Sequence, residues 1–214
     1  MKITTFNINN INRRLPNLLR WLRSAKPDIV ALQELKSTDD DFPASAIGKA
    51  GYGAVWRGQK TWNGVAILAR NTEPVLTRTE LPGGRDDREA RYIEAAVKGI
   101  IVTSIYLPNG NPQPGPKFEY KLEWFRRLRL HAAKFLKQDV PVVLAGDYNV
   151  APTASDIYPT RSWDNDALIQ PKSRAAFKSL VAQGWLDAIR NVHPSKPMYT
   201  FWDYSETAGR ATPD

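Results

Sequence analysis

The 214-residue chain contains no cysteine. This absence excludes disulfides, zinc-thiolate sites and cysteine nucleophiles, and it agrees with a reducing compartment. The chain also lacks any hydrophobic run near the roughly 18 residues that a membrane-spanning helix needs. Met1 and Lys2 lead directly into a predicted strand, with no apolar signal-peptide segment before it. We therefore expect a globular, cytoplasmic protein with no membrane partner.

Acidic residues are the minority among the charged side chains. The chain has 22 Asp and Glu against 30 Lys and Arg, which gives a formal net charge of +8. An excess of this sign favours polyanionic partners, of which nucleic acid is the obvious one. A basic surface that only keeps the protein soluble explains the same composition equally well. The hydrophobic content of 42% is sufficient for a substantial core.

Strand-like and helix-like segments alternate along the whole chain. Leucines at positions 15, 18, 19 and 22 recur at helical spacing and predict an amphipathic helix over residues 12–26. Further helices are predicted at 42–50, 117–137 and 173–183, with a short segment at 185–189. Strands are predicted at 2–6, 28–33, 52–58, 64–69, 91–97, 100–106 and 140–146. This alternation indicates an α/β layered domain.

Polar side chains follow three of the predicted strands at the point where each strand ends. Asp147 and Asn149 follow the apolar run 140–146, Glu34 follows residues 28–33, and Asn7 follows residues 2–6. Mg²⁺ prefers oxygen ligands and usually takes only one or two carboxylates together with waters and substrate phosphate. The strand ends therefore predict a divalent-metal site that assists attack on a phosphate. Taken in isolation, an Asp-x-Asn pair is also an ordinary turn or helix cap.

Eight short segments occur in a fixed order up to Tyr204. They are FNIN at 6–9, PDIVALQELK at 27–36, GQK at 58–60, GVAIL at 64–68, YLPNG at 106–110, GDYNVAPT at 146–153, GWLDA at 184–188 and YTFWDY at 199–204. Their order and number resemble the exonuclease III group of apurinic/apyrimidinic endonucleases. That group belongs to the endonuclease/exonuclease/phosphatase superfamily. Each segment alone is weakly specific, and the ordered set carries the resemblance.

The resemblance implies a fold for the chain. It implies one domain over residues 1–214, built as a four-layered α/β sandwich of two mainly antiparallel sheets flanked by helices. Relatives continue past the WDY segment with strands that have no counterpart here, so the resemblance also implies that C-terminal strands are missing. Residues 205–214 have no apolar periodicity and are expected to form a tail outside the family pattern.

The resemblance also implies roles for individual residues. Glu34 and Asn7 would hold Mg²⁺, with Mn²⁺ as an alternative ion. Three residues would act in catalysis, namely Tyr106, Asp147 and Asn149. Five would contact DNA, namely Asn109, Lys36, Gln59, Lys60 and Trp202. Each of Lys36, Gln59 and Lys60 is also explained as ordinary surface, and Trp202 is also explained as a core aromatic.

The activity that the resemblance implies is Mg²⁺-dependent hydrolysis of DNA phosphodiester bonds at abasic sites and 3′ ends, as in base excision repair. The expected partner is duplex DNA with abasic sites or blocked 3′ ends, bound by a monomer. Two alternatives stay open. One is a superfamily phosphatase that acts on phosphoinositides or small phosphates. The other is a truncated, impaired or inactive remnant that at most binds nucleic acid weakly.

Overall fold

The computed structural model describes residues 1–158 and 163–201. The chain divides into two compact units. The first comprises residues 1–108 and 126–148, and the second comprises residues 109–125 and those from 149 onward. The prediction of a single domain over 1–214 remains a prediction. Among the described residues, no helix has the length and apolar character that would let it cross a membrane.

The first unit contains two four-stranded sheets. The first sheet consists of β1 (Ile3–Asn7), β2 (Ile29–Gln33), β3 (Tyr52–Arg57) and β4 (Val65–Arg70), in the order β1-β2-β4-β3. The second consists of β5 (Val75–Arg78), β6 (Tyr92–Val97), β7 (Ile100–Tyr106) and β8 (Val142–Asp147), in the order β5-β6-β7-β8. The pairs β1/β2 and β7/β8 are parallel, and the other pairs are antiparallel.

The two sheets pack face to face over an apolar core. Side chains alternate between the faces of a strand. Ile93 and Ala95 of β6 therefore face Ile67 of β4 in the core between the sheets, whereas Tyr92 and Glu94 lie on the opposite face of β6.

Helices cover the outer faces of both sheets. α1 (Ile11–Ala25) and α2 (Ala44–Lys49) pack on the first sheet through Leu18, Leu22 and Ile47. α3 (Pro116–Phe135) belongs to the first unit from residue 126 onward, and there His131 meets the edge of the Tyr92 ring. The layers run helix, sheet, sheet, helix. The predicted four-layered α/β sandwich of two mainly antiparallel sheets is confirmed, and each sheet contains one parallel pair of strands.

The second unit contains the first turns of α3, a 3₁₀ turn (Ala154–Asp156), α4 (Pro171–Val181) and α5 (Ala188–Val192). Pro171 stands in the first turn of α4, where its missing N–H has no intrahelical partner to lose. The Arg190 guanidinium of α5 lies 2.6 Å from the Asp156 carboxylate, a nearly buried partner in the 3₁₀ turn. This ion pair fixes α5 within the unit.

Candidate active site

Four polar side chains meet at one end of the first unit because two pairs of parallel strands end there. The register places Asn7 of β1 beside Gln33 of β2, and the next residue is Glu34. The register of the second sheet places Tyr106 of β7 beside Asp147 of β8. Parallel strands have their carboxyl ends at the same edge, so the chain delivers these side chains to one place.

Asn7 connects the two carboxylates of the site. Its side-chain amide donates to Glu34 Oε1 and to Asp147 Oδ2, both at 2.9 Å. The Tyr106 hydroxyl donates to the same Glu34 oxygen at 2.8 Å. The structure thus brings together Asn7, Glu34, Tyr106 and Asp147, which the sequence places as far as 140 residues apart.

The backbone after β2 is held in an uncommon conformation. Glu34 has φ +55° and Lys36 has φ +48°, in the left-handed region that L-residues other than Gly, Asn and Asp rarely adopt. Backbone bonds hold this turn from both sides. The Asn10 and Ile11 N–H groups donate to the carbonyls of Glu34 and Leu35, and the N–H groups of Leu35 and Lys36 donate to the carbonyls of Gly64 and Asn63. Strain of this kind persists only where surrounding contacts fix it, and it clusters at functional sites.

The charge state of Glu34 follows from its neighbours. Burial by itself would raise the pKa of this carboxyl, but hydrogen bonds from Asn7, Lys36 and Tyr106 outweigh it and hold the pKa below its ordinary value. The Lys36 ammonium lies 2.8 Å from Oε2. Glu34 is therefore ionised at neutral pH, as a metal ligand must be.

Tyr106 shows the opposite shift. Burial raises the pKa of its phenol, and the negative charge of Glu34 together with the hydrogen bond to it raises the pKa further. The Arg91 guanidinium stacks over the ring at 4.9 Å from its centre, and its charge opposes that shift only in part. Tyr106 consequently remains a protonated donor throughout the neutral range.

The three predicted DNA-contacting residues near this site differ in their surroundings. Lys36 is bonded to Asn9 Oδ1 at 2.6 Å as well as to Glu34. Gln59 accepts from the Ala90 N–H at 2.8 Å, so its side chain stabilises the turn that carries it. Lys60 is exposed on that turn. The predicted DNA contacts of all three stay predictions.

Two further predicted residues lie in the second unit. The Asn109 side-chain amide donates to Asn149 Oδ1 at 3.3 Å, so these two residues are neighbours. Asn149 is nearly buried and has φ +46°, a conformation that Asn tolerates. Trp202, predicted to contact DNA, and the predicted tail 205–214 lie outside the described residues.

The residues present in the first unit fit a hard divalent cation. Glu34 supplies an ionised carboxylate, and Asp147 supplies a second carboxylate bonded to the same amide. Across residues 1–158 and 163–201, no group of three or more His, Cys, Asp or Glu side chains could hold a metal. An ion here would depend on few protein ligands and on water, which is how Mg²⁺ is usually bound.

The amide of Asn7 faces the carboxylates through its nitrogen, because its oxygen accepts the Asn9 N–H at 3.2 Å. As placed, Asn7 positions both carboxylates. Its predicted role as a direct ligand is untested.

Sequence reasoning missed several residues that support the predicted side chains within each unit. Asn9 anchors Lys36, and Lys121 bonds the backbone of Asn149 at 2.5 Å. Ser104 donates to the Leu32 carbonyl at 2.8 Å and thereby joins the two sheets behind the site. Ser104 is a polar residue inside an apolar strand, and Lys121 stands among the apolar positions of α3. A polar residue at an otherwise apolar position was the signal by which Ser104 and Lys121 could have been found.

Known proteins are similar to this chain in sequence and in fold. A family model described as the Endonuclease/Exonuclease/phosphatase family matches residues 4–213. The DNA repair nuclease APEX1 of Danio rerio is 30% identical over 97% of this chain and 68% of its own length.

Two solved structures are similar to this chain in fold and in sequence. The 3′ phosphatase NExo from Neisseria, bound to a product DNA hairpin, has TM-score 0.92 and 38% identity, covering 98% of this chain and 81% of that one. An AP endonuclease from Archaeoglobus fulgidus has TM-score 0.89 and 36% identity, covering 95% and 79%. The resemblance seen in the sequence is confirmed, and the chain belongs to the endonuclease/exonuclease/phosphatase family.

Proposed function

We propose that the chain hydrolyses DNA phosphodiester bonds at abasic sites and removes blocking groups from 3′ ends, with Mg²⁺ as its cofactor. The observation that carries this proposal is the single Asn7 amide bonded to both Glu34 and Asp147. The names of its relatives support the substrate class, since they include a DNA repair nuclease, an AP endonuclease and a 3′ phosphatase bound to DNA. The net charge of +8 favours a polyanion.

Glu34 is the residue we propose to hold Mg²⁺, with Asn7 beside it. When bound, the ion would neutralise charge on the phosphoryl oxygens and assist the leaving alkoxide. Mn²⁺ is the alternative ion, because it accepts the same oxygen ligands. The ionised state of Glu34 at neutral pH supports this assignment.

Asp147 is the proposed general base, which orients the attacking water and accepts its proton. Its carboxylate is held by the Asn7 amide, so the proton acceptor keeps a fixed direction. Tyr106 stays protonated and fixes Glu34. We assign Asn149 and Asn109 to orienting the water or the scissile phosphate, as their positions in the family segments imply.

The proposed partner is duplex DNA bound by a monomer. Lys36, Gln59 and Lys60 are assigned to the DNA backbone, and Trp202 to the extrahelical sugar. Cytoplasmic location is part of the same proposal.

A substrate panel tests this function. The purified chain is incubated with an abasic duplex, a duplex ending in a 3′-phosphate and the soluble phosphomonoester p-nitrophenyl phosphate, each with Mg²⁺ and with EDTA. We expect Mg²⁺-dependent products from both DNA substrates and a much slower reaction of the small ester. Glu34→Gln at limiting Mg²⁺ and Asp147→Asn should strongly reduce both DNA activities, which excludes a contaminating nuclease. Turnover of the small ester alone, or equal rates in EDTA, would overturn the proposal.

A further inference from the structure

A large aromatic side chain stands exposed beside the candidate site. Trp62 lies on the turn between β3 and β4 and is 65% exposed, whereas most large apolar side chains of the first unit are buried. Burying a side chain of this size against the protein would stabilise the fold by removing apolar surface from water. The Trp62 ring instead lies in solvent, where an external surface can cover it.

The turn that carries Trp62 is firmly held. Asn63 is 3% exposed, and its amide donates to Gln59 Oε1 at 3.0 Å and to Glu89 Oε2 at 2.8 Å. The Asn63 carbonyl accepts the Lys36 N–H at 2.9 Å, and the Trp62 N–H is bonded to the Lys60 carbonyl at 2.9 Å. A turn with this many bonds holds the backbone of Trp62 in place, so the backbone loses little conformational entropy when something stacks on the ring.

Lys36 places the ring close to the candidate metal ligand. Its ammonium lies 5.4 Å from the centre of the Trp62 ring, a cation–π distance, and 2.8 Å from Glu34 Oε2. One cation therefore contacts both the indole and the carboxylate. A group stacked on Trp62 would lie next to whatever is held at Glu34.

We propose that Trp62 is a stacking platform for one unpaired nucleobase next to the bond that is cleaved, and this rests on the proposed function. A flat, π-rich base covers an indole ring, and such stacking accepts any base because each has a π-face. The net charge of +8 attracts the phosphates that flank that base. Trp62 then favours DNA with an unstacked base at a frayed 3′ end or a lesion over fully paired DNA.

Equilibrium binding without catalysis tests the proposal. Two fluorescent hairpins are compared in EDTA, one with an unpaired 3′-terminal 2-aminopurine and one blunt. For the wild-type chain we expect tighter binding of the unpaired hairpin and quenching of 2-aminopurine. Trp62→Ala should weaken binding of the unpaired hairpin by about 5- to 150-fold and abolish the quenching, because stacking one base contributes about 1–3 kcal/mol. Trp62→Phe should restore most of the preference.

Leu130→Ala is the matched control, because Leu130 is also an exposed apolar side chain of the first unit, at 50%. It should leave the ratio of the two affinities unchanged. Equal loss of affinity for both hairpins in Trp62→Ala, or no preference in the wild-type chain, would overturn the proposal. Failure of the proposed function appears separately, as absent cleavage with Mg²⁺ in a chain that still prefers the unpaired hairpin.

Discussion

The Tyr106 hydroxyl donates a 2.8 Å hydrogen bond to Glu34 Oε1 and thereby connects the ends of two strands from different sheets. Each partner stabilises the proton state of the other. Burial and the neighbouring negative charge raise the pKa of Tyr106. Burial acts to raise the pKa of Glu34, but the hydrogen bonds that it accepts, one of them from Tyr106, lower this pKa below its ordinary value. The pair is therefore a protonated phenol and an ionised carboxylate over a wide pH range.

Removing this hydroxyl should shift the acid side of the pH profile. The pKa of Glu34 is lower in the folded protein than in the unfolded chain. Ionised Glu34 therefore stabilises the folded protein at any pH above its unfolded-state pKa, and this stabilisation is lost as the pH falls through its folded-state pKa. Tyr106→Phe raises the folded pKa toward its ordinary value, so activity should begin to fall at a higher pH than in wild type. The measurement is kcat/KM on an abasic duplex as a function of pH at saturating Mg²⁺.

The same change should lower the free energy of unfolding at neutral pH by about 1.5–3 kcal/mol, the usual contribution of a hydrogen bond to a charged group. Tyr158→Phe is the control, because the Tyr158 side chain is exposed. An acid limb that stays in place in Tyr106→Phe would mean that the hydroxyl does not set the ionisation of Glu34.

Glu34→Gln should weaken metal binding and leave the fold intact. Gln preserves the shape of the side chain, but it offers a neutral oxygen where Glu34 offers an ionised one. The Mg²⁺ concentration that gives half-maximal rate should rise about 10- to 100-fold or more. Circular dichroism checks the fold, and calorimetric titration with Mn²⁺ reports binding without turnover. Glu80→Gln, at an exposed carboxylate paired with Arg57, should behave as wild type.

Asp147→Asn should reduce turnover far more than DNA binding. The amide keeps the size of the side chain but cannot accept a proton from water. General-base catalysis contributes about 10²–10⁴ in rate, so single-turnover cleavage should fall by that factor. The dissociation constant for the abasic duplex, measured in EDTA, should change little. A matching loss of affinity and rate would place Asp147 in substrate binding instead.

The strand ends of the site could be predicted because they leave a local signal. Glu34 and Asp147 each follow an apolar run, and the change from apolar to polar residues marks the end of a strand. The strand before Glu34 is buried, whereas β8 is only partly buried along its length. The bonds of Asn7 to these two carboxylates could not be predicted. Asn7 and Asp147 stand on strands of different sheets, so they meet through the packing of one sheet on the other. The exposure of Trp62 could not be predicted either, because a lone tryptophan near a turn belongs to no periodic pattern that would indicate its orientation.

Most of the fold followed from hydrophobic periodicity, with β5 as the exception. Its four residues, Val75–Arg78, are all exposed, and a register shift interrupts its pairing with β6. An edge strand of this kind has no buried face, so its sequence carries no alternation. The Pro171 start of α4, two residues before the predicted helix, shows a different limit, because a first-turn proline carries no apolar signal.

Lys121 lies in the second unit with its side chain fully buried. Its ammonium donates to the carbonyls of Asn109 at 3.0 Å, Asn149 at 2.5 Å and Ala167 at 3.2 Å. An ammonium has three N–H donors, and these three acceptors come from three separate stretches of the chain. The Asn109 side chain also bonds that of Asn149. Lys121 therefore fixes the backbone from which both asparagines project.

Lys121→Met should unfold more easily than wild type, because it removes the ammonium that donates to the three carbonyls. Methionine keeps the length and the apolar stem of the side chain, so the charged donor is the main group lost. A hydrogen bond from a charged group contributes about 1.5–3 kcal/mol, and the variant loses such bonds to three carbonyls, so we expect urea denaturation to show a loss of about 3 kcal/mol or more. Lys117→Met is the matched control, since Lys117 stands one turn earlier on α3 and is exposed; its stability should be that of wild type. Amide hydrogen exchange should accelerate at residues 109–111, 149–151 and 167–168 in the Lys121 variant alone. Unchanged exchange in those segments would show that the three carbonyls do not depend on the ammonium.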